Sequence, residues 1–356
     1  MSRRTVSILG ATGSIGTSTL GRPMLLATIS SPANFARLDR LRDIQRRLAD
    51  PRTIASDAEA KALEDEGVAV VLVTCGVHST EVGSTLSSTV IAYDLATSTS
   101  PATLAILDRT VVLVVPSLNP DGVDIVKKWY DASVGTAWEG TDPVELYHYY
   151  VGHDDNRDWY AFTQAETRAV VDRVHNAWHP QVVNDIHQQG AYGSRLFLPP
   201  YVDPIEPNVP PEIVAGANAL GQSVAWAMTA SGRRGVVTSA TFDGWTPARA
   251  YSHYHGGIRI LSETASARIA SPIDVKPDEL RPGRGYDARR TSFNFPAPWP
   301  GGTWRLADIV DYMTASTRAL LETVATSKAR LLEGFYRAGR EAVTHRDGEP
   351  YGYVIP

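Results

Sequence analysis

The sequence predicts an α/β fold, a single domain with a mixed, largely parallel central sheet flanked by helices. Three observations carry this expectation. Short β-branched runs alternate along the chain with stretches of helical period. Runs such as VAVVLV and TVVLVV are apolar throughout instead of alternating, as in strands covered on both faces. Several runs stop at polar residues, and in an open α/β sheet such residues gather beyond the carboxyl ends of the strands.

Taken in order, residues 35–50 space their apolar positions as an amphipathic surface helix does. Residues 68–75 form a buried strand, and 81–96 return to helical period. Residues 110–116 are the next strand. Residues 131–158, with Gly, Asp, Pro and clustered Tyr, read as a long irregular loop of the kind that carries function. Residues 163–179 are helical, closed by Pro180, and 181–187 are a strand. A Pro-rich loop at 199–211 leads into a helix at 212–231. Residues 257–263 are a strand, 272–302 an ordered loop, and 306–340 a long terminal helix or a helix pair. The last residues, YGYVIP, read as a strand.

Composition narrows the function. The 356 residues are 43% hydrophobic and 21% charged, ordinary for a soluble globular domain. The net charge of −5 gives no electrostatic case for nucleic acid or an anionic membrane. No run reaches the length of a membrane span. The one cysteine, Cys75, lies in an apolar run and reads as a buried thiol. The N-terminal MSRRTVSILGATGSIG makes a poor signal peptide, because glycines break its apolar part.

The polar residues at the strand ends are those of a metal hydrolase. VAVVLVTCG runs into HSTE, which supplies His78 and Glu81. His-x-x-Glu alone is weak, and its ordinary reading is a solvated loop pair. Here it follows a buried strand, with Gly76 allowing a sharp turn and Glu81 opening a helix. Zinc takes imidazole nitrogen and carboxylate oxygen, and a catalytic site keeps one position open. His187, at the end of QVVNDIH, supplies a third ligand, with Asp185 a substitute facing the same way only if the strand continues. Glu263, at the end of GIRILSE, is the candidate general base, its apolar neighbours raising its pKa. In DDNRDW, Arg157 offers a planar fork for a carboxylate, with Asn156 beside it.

HSTE, NPDG, NRDW, a strand ending in His and a later strand ending in Glu occur in the order found in zinc carboxypeptidases of the carboxypeptidase A type, which this chain resembles from Ile15 to Arg340. The resemblance takes in residues 16–30 as an early strand pair. It implies a catalytic domain over 15–340, with 1–14 and 341–356 as segments of a chain cut at one or both ends. It implies one Zn2+ held by His78, Glu81 and His187, with Glu263 as base and Asn156 and Arg157 clamping the C-terminal carboxylate of a peptide or protein substrate. It also implies a secreted or extracytoplasmic setting. Three family features depart. Thr80 stands between the ligands where Arg is frequent. Val134 stands where an arginine polarises the scissile carbonyl, with Lys127, Lys128, Arg259 and His255 as replacements to consider. The closing tyrosine has only Tyr251 and Tyr254 as counterparts, and Tyr254 is taken as the substrate contact.

Three other readings compete. Gly10, Gly13 and Gly16 imitate a dinucleotide-binding fingerprint, but Gly21-Arg22-Pro23 interrupts any following helix. A non-catalytic relative would not be expected to retain three ligands and Glu263. A zinc amidohydrolase or deacylase of related fold, acting on small acyl-amino acids or cell-wall peptides, would use the same metal on a different bond.

Overall fold

The computed structural model describes residues 13–147, 154–241, 243–244 and 251–348. Eight strands form one mixed sheet: β1 (Gly13–Thr17), β2 (Pro23–Ile29), β3 (Ala69–Thr74), β4 (Thr110–Val115), β5 (Val182–Gln189), β6 (Leu196–Leu198), β7 (Val236–Thr238) and β8 (Ile258–Ala265). Their order is β1-β2-β4-β3-β5-β8-β6-β7. The centre, β4-β3-β5-β8, is parallel throughout. The pairs β1–β2, β2–β4 and β6–β8 are antiparallel, and β6–β7 is parallel again.

Every residue of β3 and β4 is buried, which is why these strands read as continuous apolar runs. Alternate side chains serve opposite faces. Val71 and Val73 enter one core with Ile91, Leu95, Leu220, Val224, Leu320 and Val324, from helices Val82–Thr97, Pro211–Ala230 and Leu306–Thr326. Val70 and Leu72 enter the other with Leu41, Ile44, Leu48, Trp178, Leu332 and Phe335. That face is covered by helices Leu38–Ala49 and Lys328–Val343. Cys75, one residue past β3, is buried in the first core, and burial pushes its thiol well above the ordinary value.

Most expected elements are present, with shifts that have local causes. The expected terminal helix is a pair broken at Ser327. The helix after NPDG, Pro120–Ser133, takes residues assigned to the start of the long loop. Asn119 caps it, its side chain accepting from Gly122 N at 2.9 Å, and Pro120 occupies the first turn. Asp121 in its first turn holds the β1–β2 turn, accepting from Ser18 Oγ at 2.5 Å and Leu20 N at 2.7 Å. Residues 148–153 of the expected loop, and the YGYVIP end, lie outside the described residues. Three-residue strands β6 and β7 are too short to show a period. Gly13 and Gly16 lie in β1, which turns back into β2 as a hairpin. A dinucleotide fingerprint needs a strand feeding a helix, so that geometry is absent there; Gly10 lies outside the described residues.

Both β5 and β8 run two residues past the point expected from the sequence, to Gln189 and Ala265. The parallel register therefore sets His187 opposite Glu263 and Asp185 opposite Leu261.

Leu113 on β4 is fully buried between sheet and helices. Leu113→Ala should cost about 2–5 kcal/mol by the usual large-to-small core penalty. Equilibrium urea denaturation reads this directly, and a change below about 1 kcal/mol would contradict the tight packing of this face.

Candidate metal centre

The chain leaves β3 through Gly76, whose φ of 62° is the left-handed turn that a side chain would disfavour. A Cβ there would also clash with Thr85 Oγ1. The turn delivers His78, and the next helix begins with Glu81 as its N-cap residue. Glu81 accepts at Oε2 from Gln188 N at 2.9 Å, so the first turn of this helix is tied to β5.

Two imidazoles converge on this one carboxylate. His78 Nδ1 is 2.9 Å from Glu81 Oε1, and His187 Nδ1 is 3.3 Å from Glu81 Oε2. Ligand atoms of the three residues all lie within 4.8 Å of one another. Donors about 2.0–2.1 Å from a tetrahedral zinc ion stand roughly 3.3 Å apart, so the spacing fits such an ion. The donor set, two nitrogens and one oxygen, is that of a catalytic zinc with an open position.

Electrostatics point the same way. Burial works against a charge on His78, but the Asp154 and Glu81 carboxylates outweigh it and lift the ring to about 9. Burial also opposes a charge on His187, yet Asp185 and Glu81 hold it well above the ordinary value. The pocket thus favours positive charge at both rings, and a divalent cation bound to the neutral rings brings that charge to the same place.

Glu263 is partly buried across the sheet from His187. Burial, with the Glu81 and Asp243 carboxylates, pushes it up to about 7, against the pull of His187. A carboxylate that titrates near neutrality beside a metal group is suited to take and return a proton.

Arg157 is half exposed, with Nη1 4.0 Å from Asp154 Oδ1. Asn156 is buried and lines a small internal cavity with Trp159, Tyr251, Asp185 and Arg259. Asp154 binds both features, since its Oδ2 lies 3.3 Å from His78 Nε2. Tyr254 is not brought to this group. It lies beside Glu206 and lines a cleft with Arg46, Asn208 and Phe335. Its helix, Tyr251–Tyr254, precedes β8, so Tyr254 sits at the amino end of the strand while Glu263 is near the carboxyl end. The five residue steps from Ile258 to Glu263 alone span about 16 Å.

Three of the four considered replacements for an arginine at Val134 are engaged by other groups. Arg259 is buried against Asp185 and Asp243, Lys127 pairs with Asp131, and His255 stacks on Tyr251. Val134 itself is exposed at the end of its helix. Thr80 Oγ1 is instead 3.3 Å from the hydroxyl of Tyr147. Tyr147 and Asp154 were not singled out in the sequence. The only signal for either is membership of the long tyrosine-rich loop, in which Asp154 lies two residues before Asn156.

Comparison with known proteins identifies the family and the fold. The family model of zinc carboxypeptidases, peptidase M14, matches residues 4–256. Glu263 lies beyond that span, so its place beside the ligands rests on the pairing of β5 with β8. No curated protein sequence matches the chain. Among solved structures, a metallo-carboxypeptidase from Burkholderia cenocepacia is similar with a TM-score of 0.55 at 15% identity, covering 89% of this chain and 65% of that one. A Pseudomonas aeruginosa metallo-carboxypeptidase, solved with (2-guanidinoethylmercapto)succinic acid, gives 0.54 at 15% identity, covering 92% of this chain and 67% of that one. Carboxypeptidase A from Helicoverpa armigera gives 0.51 at 15% identity, covering 89% and 68%. These likenesses are of fold, and the chain spans just under two thirds of the Burkholderia structure's length. With the family model matching well over half of the 356 residues, the chain belongs to the zinc carboxypeptidase family, peptidase M14.

Proposed function

We propose that the chain is a zinc-dependent metallocarboxypeptidase that hydrolyses the C-terminal peptide bond of a peptide or protein. The observation that carries this reading is the convergence of His78 and His187 on Glu81, with Glu263 set opposite His187. A zinc ion bound there supplies the charge that polarises the scissile carbonyl and acidifies water. The remaining work falls to side chains. Glu263 takes a proton from the attacking water and passes it to the departing amine. Arg157 grips the terminal carboxylate with a two-pronged, charge-assisted contact, beside Asn156. That grip fixes the distance between the scissile amide and Glu263, which is where binding energy becomes rate.

One observation favours a second reading, a deacylase acting on acyl-amino acids or cell-wall peptides. Two positions at which the family resemblance expects arginine carry none: Thr80 contacts Tyr147, and Val134 is exposed. C-terminal recognition separates the two.

Purified chain should carry about one zinc per molecule, and His78→Ala, Glu81→Ala and His187→Ala should each lose it, as a three-ligand site requires. Metal analysis after gel filtration reads this, and stoichiometric zinc in all three variants would remove the ligand assignment. Glu263→Gln should keep zinc and lose roughly 10²–10⁴ in kcat, the scale of a positioned base. Glu263 must be ionised to accept a proton, so activity falls as pH drops through its pKa. Burial sets that value at about 7, and a bound cation lowers it, so the acid limb of kcat/KM should be centred at or below about 7. A limb centred well above 7, or one surviving in Glu263→Gln, would count against this base.

Arg157→Ala should lower kcat/KM for peptides with a free C-terminus by about 10²-fold or more, the loss of a charge-assisted pair costing roughly 2–5 kcal/mol. Amidated peptides should be poor substrates for both proteins. Equal cleavage of free and amidated peptides by the unmodified chain would favour the deacylase.

A further inference from the structure

Behind His187 lies a charged cluster that the proposed chemistry does not use. Because β5 continues through His187, Asp185 faces the same side two residues earlier. Asp185 Oδ1 accepts from Thr74 Oγ1 at 2.8 Å. Its Oδ2 accepts from Arg259 Nε at 3.0 Å and from Nη2 at 2.5 Å. Arg259 Nη1 donates to Asp243. Arg259 is 5% exposed and Asp243 1%, so the cluster is cut off from solvent. Asp185 Oδ2 also stands 3.3 Å from His187 Nε2. That nitrogen is buried, and Asp185 is the carboxylate that faces it.

We propose that Asp185 and Arg259 are positioning residues for the metal ligand His187. This rests on the reading of His187 as a ligand, and it concerns metal binding, separately from which bond is cleaved. A buried ion pair is a poor device for stability alone, because desolvation offsets most of its attraction. Its value lies in geometry. An imidazole that ligates through one nitrogen needs its other N–H held by an acceptor, which fixes both tautomer and ring orientation. Asp185 on the Nε2 side leaves Nδ1 facing Glu81. The carboxylate cannot turn away, since the Thr74 hydroxyl and the Arg259 fork hold both of its oxygens. Asp243 in turn fixes the guanidinium from its far side. Three parallel strands, β3, β5 and β8, thereby set the angle of one ring. His78 has a different support: Asp154 reaches its Nε2 at the same 3.3 Å but lies on a loop with its side chain 29% exposed.

The test is the zinc affinity of the full chain by chelator competition, with the visible spectrum of the Co2+ form as a report on ligand geometry. Asp185→Asn and Arg259→Met should each weaken zinc binding about 10- to 100-fold, the usual effect of removing such support. Both should alter the Co2+ spectrum. Arg259→Lys keeps the charge without the fork and should fall between Met and the unmodified chain. Thr74→Val, which removes one hydrogen bond at nearly constant volume, should weaken binding several-fold and serves as the deciding variant if the others do not fold. Leu113→Ala is the control, expected to lower Tm without moving zinc affinity. If the cluster only stabilises the fold, its variants will behave like that control, with lower Tm and unchanged affinity and spectrum, and the proposal is overturned. Affinity is read without substrate, so a chain that binds zinc as expected but leaves peptides uncut refutes the peptidase reading alone.

Discussion

The site depends on one ladder, the parallel pairing of β5 with β8. Its register puts His187, of the candidate metal group, directly opposite the Glu263 carboxylate. A slip of one residue in either strand would turn its side chain to the opposite face from its partner's. The register is held by burial on both faces of the sheet, where Val183, Ile186, Ile260 and Leu261 leave no alternative packing. Chemistry at the sheet edge therefore inherits its precision from the core.

Charge is the second organising constraint. Glu81, Asp154, Asp185, Asp243 and Glu263 bring five carboxylates into a small volume, faced by Arg157, Arg259 and two imidazoles. Such a group is tolerated only because positive charge stands among the carboxylates. The same acidity explains the opposite behaviour of neighbouring groups. Glu81, beside two rings, stays ionised, whereas Glu263, facing other carboxylates from a dry position, is pushed upward.

The parts legible in sequence were those whose signal is local. Continuous apolar runs fixed β3 and β4, and polar residues following such runs led to His78, Glu81, His187 and Glu263. Placement across strands was less accessible. Arg259 reads in sequence as a candidate replacement for the carbonyl-polarising arginine, but its partners Asp185 and Asp243 are 74 and 16 residues away and meet it only through the tertiary fold. Tyr254 looked close to the site because it is close in sequence to Glu263. A strand is a straight rod, however, so residues at its two ends face opposite edges of the sheet. NPDG was read for its place in a series of motifs. Its local physics is a helix cap plus an anchor for the β1–β2 turn, a role set by Ser18 and Leu20, about a hundred residues earlier.

Cys75 gives the molecule a built-in gauge of breathing. Its sulfur is the one thiol in the chain, it sits one residue beyond β3, and it is shut inside the larger core. A thiol reagent cannot reach it in the closed state, so modification proceeds only through openings that part β3 from the helices above it. The rate of labelling thus counts excursions of the strand that leads into His78 and Glu81. Anything that clamps those two residues together should slow the chemistry of a sulfur buried three residues away from the first of them.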